Sequence, residues 1–425
     1  MSEPDEMLWL IEPRDPLIVR DGRPFGPNPG ARANTLAFPF PSTIAGALRH
    51  KAGLGTDGIF DRSESRRVRQ LAVRGPLLVK LADDPPAACV VDWLIPAPAD
   101  ALLLTSEEAD DSVILRRWLA PRPLAGSAIT ALPDALHAVS PATYERNKAS
   151  PQTPRFWHWA VFARWLTAPQ DDTCTPAELG IDKLETDTRM HVSIQPDTQT
   201  AQEGALFQTS GLELTWRDRT PNEARTEDQK ADAEVGKQTD HFTTHRLALA
   251  TVMRGQTPNF PGGLAPMGGE RRLMRWWIAD TGLPTPPNGL FTAIIDARRA
   301  RVILLTPACF TAGYRPPLQW TRGTVSATLV AAVVPKAQVI SGWDMAHRNR
   351  NGSYGRPKPT RHLAPAGSVY YVTFPANGDV EDWLKETWMQ NVSDDAQDQR
   401  DGFGLAAVGV WPLDEKELCH VPSAT

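Results

Sequence analysis

The chain has 425 residues, 41% of them hydrophobic and 22% charged, and a net charge of -5; this predicts a globular protein of two to three domains. Because no stretch approaches 18 consecutive apolar residues and the first ten residues lack a basic, cleavable signal, we expect neither a membrane-spanning helix nor secretion. The four cysteines are widely separated, with no Cys-x-x-Cys pair and no Cys/His cluster, so neither a zinc module nor a disulfide framework is indicated, and a cytoplasmic location is favoured.

The first hundred residues predict strands and one short helix. Apolar residues form two strands, in MLWLIEP and PLIVR, with a break at Asp15-Pro16. Five prolines and three glycines between residues 22 and 41 exclude a helix or a central strand there. A helix then follows with Ser42 as its N-cap and Gly53 at its end, and LAVRGPLLVKL and AACVVDWLIPAP form a hairpin.

Two insertions are predicted in the first half. Residues 97–153 are rich in proline and loops, and residues 217–240 lack aromatic side chains, so we expect surface additions, the second of them disordered. Between them, RFWHWAVFARWLT has the apolar spacing of an amphipathic helix whose tryptophans lie in a core. Alternating residues further on predict a long hairpin in which Arg189 and His191 share a face.

The second half repeats this order of elements. From residue 284 onward the pattern is β-α-β-β-α-β with a weak first helix, beginning with strands in LFTAII and RVILLTPACF. That order defines a ferredoxin-like unit. The fold class predicted here is α+β, with two tandem ferredoxin-like βαββαβ units in residues 1–283 and 284–425.

Charge is unevenly distributed along the second half. Nine cationic residues and one acid lie between residues 301 and 372, whereas three cationic and eleven acidic residues lie between 373 and 425. This polarity predicts a basic groove on an acidic body, with the acids of residues 373–401 facing solvent or a basic partner. The alternative is two solvated faces of opposite sign.

Catalytic signatures are weak in this sequence. It has no G-x-S-x-G elbow, no Walker loop and no H-E-x-x-H pair. His50, His191 and His362 are the best candidates for a general base, but no neighbouring lysine and tyrosine single one out. We therefore predict no catalytic residue, no metal and no cofactor.

Two glycine turns and one basic loop predict contacts to phosphate. The amides of Gly268-Gly269 and of Gly402-Phe403-Gly404 carry little or no side chain, so a phosphate can approach them closely. In GRPKPTRHLAPAG the cations are braced by prolines, and Trp343 and Tyr354 nearby offer surfaces on which bases stack. The alternatives are ordinary turns and a solvated loop.

Several stretches, in one order along the chain, carry a family resemblance: FPFPSTIAGALR, DTRMHVSIQPDTQTAQEGALFQT, GGERR, ISGWD with PKPTRHLAPAGSVYYV, and GFGLAAVGVW. The chain resembles the third-subunit family of the Cmr effector complexes of type III-B CRISPR systems, within the RAMP superfamily of ferredoxin-like RNA binders. The match spans nearly the whole chain. The chain departs from the family pattern in the length of two insertions, residues 97–153 and 217–240, which lie between the matching motifs.

The resemblance implies a non-catalytic role in antiviral defence. Such a subunit sits at the foot of the complex, holds the repeat-derived 5′ handle of the guide RNA, and docks the large polymerase-like subunit to the RAMP backbone subunits. Target cleavage and cyclic oligoadenylate synthesis belong to those other subunits.

The motifs of the resemblance, together with the residue pattern, predict a set of RNA contacts. Trp343 and Phe403 are expected to stack on bases, and amides at the start of the helix near Ser42 to hold a phosphate. The full set is Arg20, Arg23, Arg32, Ser42, Thr43, Arg49, Arg189, His191, Gly268, Gly269, Arg271, Lys336, Trp343, Lys358, Arg361, His362, Gly402, Phe403 and Gly404.

Two other functions stay open on the residues alone. One is a repeat-processing endoribonuclease of the same superfamily with a histidine general base. The other is a structural adaptor in which the glycine turns only redirect the chain and the contacts are to protein.

Overall fold

The computed structural model describes residues 6–21, 32–55, 57–82, 89–106, 113–122, 131–133, 135–219, 242–255, 262–350 and 352–412. Arg23 and residues 220–240 of the second predicted insertion lie outside the described residues. The fold is mixed α and β and dominated by sheet. Among the helices of the described ranges, none is long and apolar enough to cross a membrane.

A large sheet gathers strands from the first 280 residues. Its central strand Glu6–Pro13 is covered on both faces, because Trp9 and Ile11 pack in one apolar cluster and Leu8 and Leu10 in another. Within the described residues the sheet has nine strands, which in order are Gly180–Ile181, Phe156–His158, Val90–Pro96, Ala72–Leu81, Phe242–Arg254, Glu6–Pro13, Leu273–Ile278 and Gly263–Pro266, with Thr215–Arg219 pairing to Phe242–Arg254 off this path.

A smaller sheet is built from the second half, and all its neighbouring strands run antiparallel. Its described strands, in order, are Gln319–Arg322, Val325–Val333, Val369–Thr373, Arg299–Leu304, Leu405–Val410 and Gln390–Asn391.

The predicted opening strand LFTAII is a helix, Leu290–Ala297, so this expectation was wrong. Gly289 precedes it at φ +74°, and Leu290 and Ile294, four residues apart, are its buried side chains. Because this helix comes before the strand Arg299–Leu304, and residues 305–324 contain no helix, the predicted β-α-β-β-α-β order is not observed in residues 284–412.

The remaining elements are helices and small sheets. Residues 97–153, predicted as loop-rich, include several strands that form small sheets. Within the described ranges the helices are Pro41–Ala52, Ser65–Val68, Trp159–Thr167, Pro176–Leu179, Leu290–Ala297, Val380–Lys385 and Ala396–Arg400, with 3-10 turns at Arg62–Glu64 and Gly269–Arg271. The small sheets join Asp172–Cys174, Ile114–Trp118 and Ala101–Thr105; Glu185–Ile194, Ala201–Glu213 and Arg32–Ala33; Ala120–Arg122 and Ala138–Ser140; Gln338–Ile340 and Arg361–Leu363; and Trp343–Arg348 and Tyr354–Pro357.

The first helix begins two residues earlier than the sequence predicted. Pro41 is its first residue and Phe40 its N-cap, without a side-chain capping bond, so Ser42 is not the cap. Proline fits this position because its fixed φ suits a helix and its missing N–H would be unpaired there anyway. Gly53 ends the helix, as predicted.

The two sheets share one apolar core. Its largest cluster contains Leu77 and Ile95 from the large sheet, Trp165 from the helix Trp159–Thr167, and Val302 from the small sheet. The tryptophans of that helix region are therefore core residues, as predicted, although the helix joins the two halves rather than lying in a surface insertion. The division predicted at 283/284 does not separate two cores.

A fully buried ion pair lies inside this shared core. Arg301 of the small sheet pairs with Asp100, and both side chains are inaccessible to solvent. Trp165 donates its indole N–H to the other carboxylate oxygen of Asp100 at 2.9 Å, and Arg301 Nε donates to the carbonyl of Val410 at 2.7 Å. The pair thus connects four separate segments of the chain.

Candidate RNA-binding surface

Residues 338–363 form an exposed antiparallel ribbon, which we call the basic arm. The sequence predicted a stiff loop here. Instead, Gln338–Ile340 pairs with Arg361–Leu363 and Trp343–Arg348 with Tyr354–Pro357, because a ribbon satisfies backbone groups that a loop would leave to water. Its exposed cations are Arg348, Arg350, Arg356 and Lys358, with Lys336 and His362 also exposed at its base.

The arm is anchored at both ends. Near its tip, the guanidinium carbon of Arg62 lies 4.3 Å from the ring centre of Tyr354, a cation–π contact. At its base, Ile340 and Leu363 pack in a small apolar cluster with Phe40. The arm therefore rests on the segment that contains the first helix, and its cations have a defined position.

An exposed tryptophan lies on the arm, as predicted. The Trp343 side chain is 55% exposed, and its indole lies directly against Gly355, where a Cβ would come 2.0 Å from the indole nitrogen. Gly355 also has φ +98°, a conformation that favours glycine. The indole is thus held against the backbone while more than half of its surface stays available to a base.

A second candidate surface is the long hairpin, Glu185–Ile194 with Ala201–Glu213. His191 Nε2 lies 2.8 Å from the hydroxyl of Thr209, which is the cross-strand partner of Arg189. Arg189 and His191 therefore share a face, as predicted. The His191 ring stacks on Phe207 with centres 5.2 Å apart, so one of its faces is occupied.

The other face of the long hairpin is exposed and apolar. Met190, Val192 and Leu206 are 59%, 45% and 50% exposed. Arg32 of the added strand pairs with Gln208, and Gln208 is the cross-strand partner of Met190. Because paired residues point to the same side of a sheet, Arg32 lies on the face of Met190 and not on that of Arg189. The hairpin thus offers a cation beside apolar side chains on one face and a second cation on the other.

The segment Arg32–Phe40 connects the two surfaces. Arg32 and Ala33 add a parallel strand to the long hairpin, Leu36 bonds to the Val19 carbonyl at 2.7 Å, and Phe40 packs at the base of the arm. Arg20, an exposed residue of the predicted set, forms a bridge to Thr35 in this segment.

The turn at Gly268-Gly269 lies beside the same segment. Gly269 donates its amide to the carbonyl of Ile18 at 2.7 Å, and a Cβ on Gly268 would approach that carbonyl to 2.5 Å. This amide is therefore used in packing and not offered to a phosphate, which corrects the expectation for Gly269. Arg271, two residues on, is exposed.

Two predicted RNA-binding arginines hold the protein together instead. Arg49 pairs with Asp401 and donates to the carbonyls of Leu71 and Arg400 at 2.8 and 3.0 Å. Arg361 pairs with Asp398. Both carboxylates are buried, so each arginine is paired with an internal acid, and Arg49 and Arg361 are corrected from free phosphate ligands to anchors. Ser42 and Thr43 are half-buried in the first turn.

The buried carboxylates also correct the expectation for the acidic region. Asp398 and Asp401 face Arg361 and Arg49 rather than solvent or a partner. Burial, followed by the negative charge of Asp398, raises the pKa of the Cys309 thiol to about 12. This thiol is therefore protonated at neutral pH and is no nucleophile there.

The second glycine turn packs inward, contrary to the prediction. The amides of Gly402, Phe403 and Gly404 donate to carbonyls of Gln399, Asp398 and Pro307 at 3.1, 3.0 and 2.8 Å. Phe403 is fully buried. The turn thus has neither a free amide for phosphate nor an aromatic face for a base, and its role is to join the two sheets.

Substituting Gly402 with alanine is expected to destabilise the protein by about 1–3 kcal/mol. Its φ is +94°, and a Cβ would lie 2.7 Å from the carbonyl oxygen of Gly75, so both backbone strain and a clash result. Chemical denaturation measures the change. Gly282→Ala is the matched control because a Cβ there meets nothing within 4 Å; equal stability of the two variants would contradict the packing role.

The three candidate histidines lie on different elements. His50 lies in the last turn of the first helix and stacks on Phe60 with ring centres 5.4 Å apart. His191 lies on the long hairpin, and His362 lies on the arm. The structure does not bring them together. In the part of the chain that is described, no group of three or more His, Cys, Asp or Glu side chains is placed to hold a metal ion.

Comparison with known proteins gives one family. The model of the family described as CRISPR-associated protein (Cas_Cmr3) matches residues 9–411. No curated protein matches the chain. Among solved structures, a chain of "Cryo-EM structure of the Type III-B Cmr-beta bound to cognate target RNA" is 14% identical, covering 93% of this chain and 95% of that one with a TM-score of 0.43. A chain of the same complex "bound to cognate target RNA and AMPPnP, state 1" is 13% identical over 86% of each, with a TM-score of 0.37.

Proposed function

Because the chain belongs to the Cas_Cmr3 family of CRISPR-associated proteins, we propose that it is a non-catalytic RNA-binding subunit of a type III-B effector complex. In this proposal it works in the cytoplasm, holds the 5′ handle of the guide RNA and links the large polymerase-like subunit to the backbone subunits.

The basic arm is the observation that carries the proposal. It presents exposed cations beside an exposed indole, and Asp344 is its one acid in the sequence. Arginine and lysine hold phosphates, and an aromatic ring stacks on an unpaired base. A ribbon with both features therefore suits a single strand, whose phosphates and unpaired bases it can contact together.

The long hairpin supports the same proposal. Exposed Arg189, which pairs with Asp187 at 2.6 Å, lies on one face of the hairpin. The exposed Arg32 of the neighbouring strand lies on the other face, with apolar Met190 and Val192. Such a hairpin can meet phosphate through its cations and bases or a neighbouring subunit through its apolar side chains. The docking role proposed for this subunit needs both kinds of contact.

Incubation of the full chain with labelled guide RNA tests the proposal. We expect binding that requires the handle, weakens steeply as salt increases, and leaves the RNA intact. Handle-independent binding would favour the structural adaptor. Specific cuts in repeat RNA that disappear in a single variant among His50→Ala, His191→Ala and His362→Ala would establish the endoribonuclease and contradict the proposal.

A further inference from the structure

A cationic cleft lies where the two sheets meet, apart from the arm and the long hairpin. Its volume is about 510 Å³, within the range of pockets that hold small ligands. It is formed by the strand starting at Ala72, the ends of the strands Phe242–Arg254 and Gln319–Arg322, and the region 385–400. Its charged lining residues are Arg74, Arg254, Arg322, Lys385, Arg400 and Glu386.

Positive charge exceeds negative charge in this cleft. Arg74 and Arg254 share a single carboxylate, Glu6, which Arg254 approaches only to 3.7 Å. Lys385 pairs with Glu381 at 2.7 Å. The lining itself contains five cations and one carboxylate, Glu386, whereas Glu6 and Glu381, with Asp379 and Asp382 near Lys385, lie outside it.

Two of the arginines have no carboxylate partner among the described residues. Arg322 donates twice to the backbone carbonyl of Glu386, at 2.9 and 2.6 Å, rather than to its carboxylate. Arg400 donates to the side-chain amide oxygen of Gln397 at 3.1 Å. Their hydrogen-bond acceptors are therefore neutral groups, which compensate a guanidinium less well than a directly bonded anion does.

Buried donors add to this imbalance. The Nε–H groups of Arg74 and Arg400 are buried and have no acceptor in the described structure. Burial lowers the pKa of Arg74 and of Arg322, although nearby Glu6 and Glu386 oppose the effect. Clustering partly desolvated cations costs stability, and a bound anion would recover that cost.

We propose that this cleft binds a phosphate-bearing ligand. Guanidinium groups match phosphate oxygens as paired donors, and the amides of Gln390, Asn391 and Gln399 add neutral polar groups to the lining. The phosphate belongs either to a free nucleotide or to an RNA strand. The site is separate from the surfaces on which the proposed function rests, because none of its lining residues lies on the arm or the long hairpin.

Calorimetric titration of the full chain with pyrophosphate tests the proposal. The test variant is Arg254→Gln with Lys385→Gln, since both side chains are largely exposed and their loss leaves the buried contacts intact. Binding is expected to weaken about tenfold. The control is Arg164→Gln with Arg217→Gln, two exposed residues outside the cleft, which removes equal charge and is expected to leave affinity unchanged.

The outcomes separate the ligand sources and the two sites. Displacement of pyrophosphate by ATP but not by a short single-stranded RNA identifies a nucleotide site, and displacement by the RNA identifies a strand site. Absence of pyrophosphate binding, or equal binding by wild type and the cleft variant, overturns the cleft. Neutralising the arm is expected to leave pyrophosphate binding intact, so failure of the arm and failure of the cleft are distinguishable.

Discussion

Replacing Asp100 with alanine is expected to lower the free energy of unfolding by about 3–5 kcal/mol, because it leaves the Arg301 guanidinium buried without its counter-ion. Both side chains are fully inaccessible to solvent. The change also removes the acceptor of the Trp165 indole and a neighbour of the Tyr371 hydroxyl at 3.3 Å. The loss thus affects the point where the two sheets share a core.

A double-mutant cycle measures this effect. Denaturation of Asp100→Ala, Arg301→Met and the double variant is expected to show that the double loses less than the two singles combined, since it leaves no unpaired charge. Glu381→Ala, which breaks the exposed pair with Lys385, is the control and is expected to cost under about 1 kcal/mol. Additive losses from the two buried substitutions would contradict the coupling.

Neutralising the basic arm is expected to reduce guide-RNA affinity roughly tenfold to a hundredfold at moderate salt. The variant carries Arg348→Gln, Arg356→Gln and Lys358→Gln, which are exposed and make few contacts within the protein; Arg356 approaches Asp344 only to 3.9 Å. In a plot of log affinity against log salt concentration, each phosphate contact on a single strand contributes about 0.7 to the magnitude of the negative slope. Loss of three contacts should therefore reduce that magnitude by about 2.

The matched control removes the same charge elsewhere, by Arg164→Gln, Lys183→Gln and Arg217→Gln, all exposed positions outside the arm and the long hairpin. Fluorescence anisotropy across a salt series compares the two triple variants. If both lose the same affinity and slope, the arm acts only through overall charge, and its proposed role as a binding surface is wrong.

The local sequence pattern was sufficient to predict those elements whose structure depends mainly on one kind of interaction. The strands Glu6–Pro13 and Ala72–Leu81 and the shared face of Arg189 and His191 follow from apolar runs and alternation. The helix Leu290–Ala297 was missed because a short apolar run fits a buried strand or a helix equally. The preceding Gly289, in a left-handed conformation, was the available signal for a helix start.

The parts that could not be predicted depend on distant partners. Arg49 and Asp401 are 352 residues apart in sequence. The sequence pattern therefore predicted Arg49 as a free cation and Asp401 as an acid facing solvent or a partner. The contact of Arg62 with Tyr354 and the burial of Phe403 likewise follow from tertiary packing. The charge excess between residues 301 and 372 includes the exposed cations of the arm, but the ion pair of Arg361 with Asp398 could not be predicted from it.

Photocrosslinking of the assembled effector complex tests the central claim most directly. Guide RNA carrying photoreactive nucleotides in its 5′ handle is expected to crosslink to this chain at peptides containing Trp343 or residues 354–358, with further crosslinks at residues 185–194. Handle crosslinks that fall only on other subunits, or on this chain only outside the arm and the long hairpin, would contradict the account.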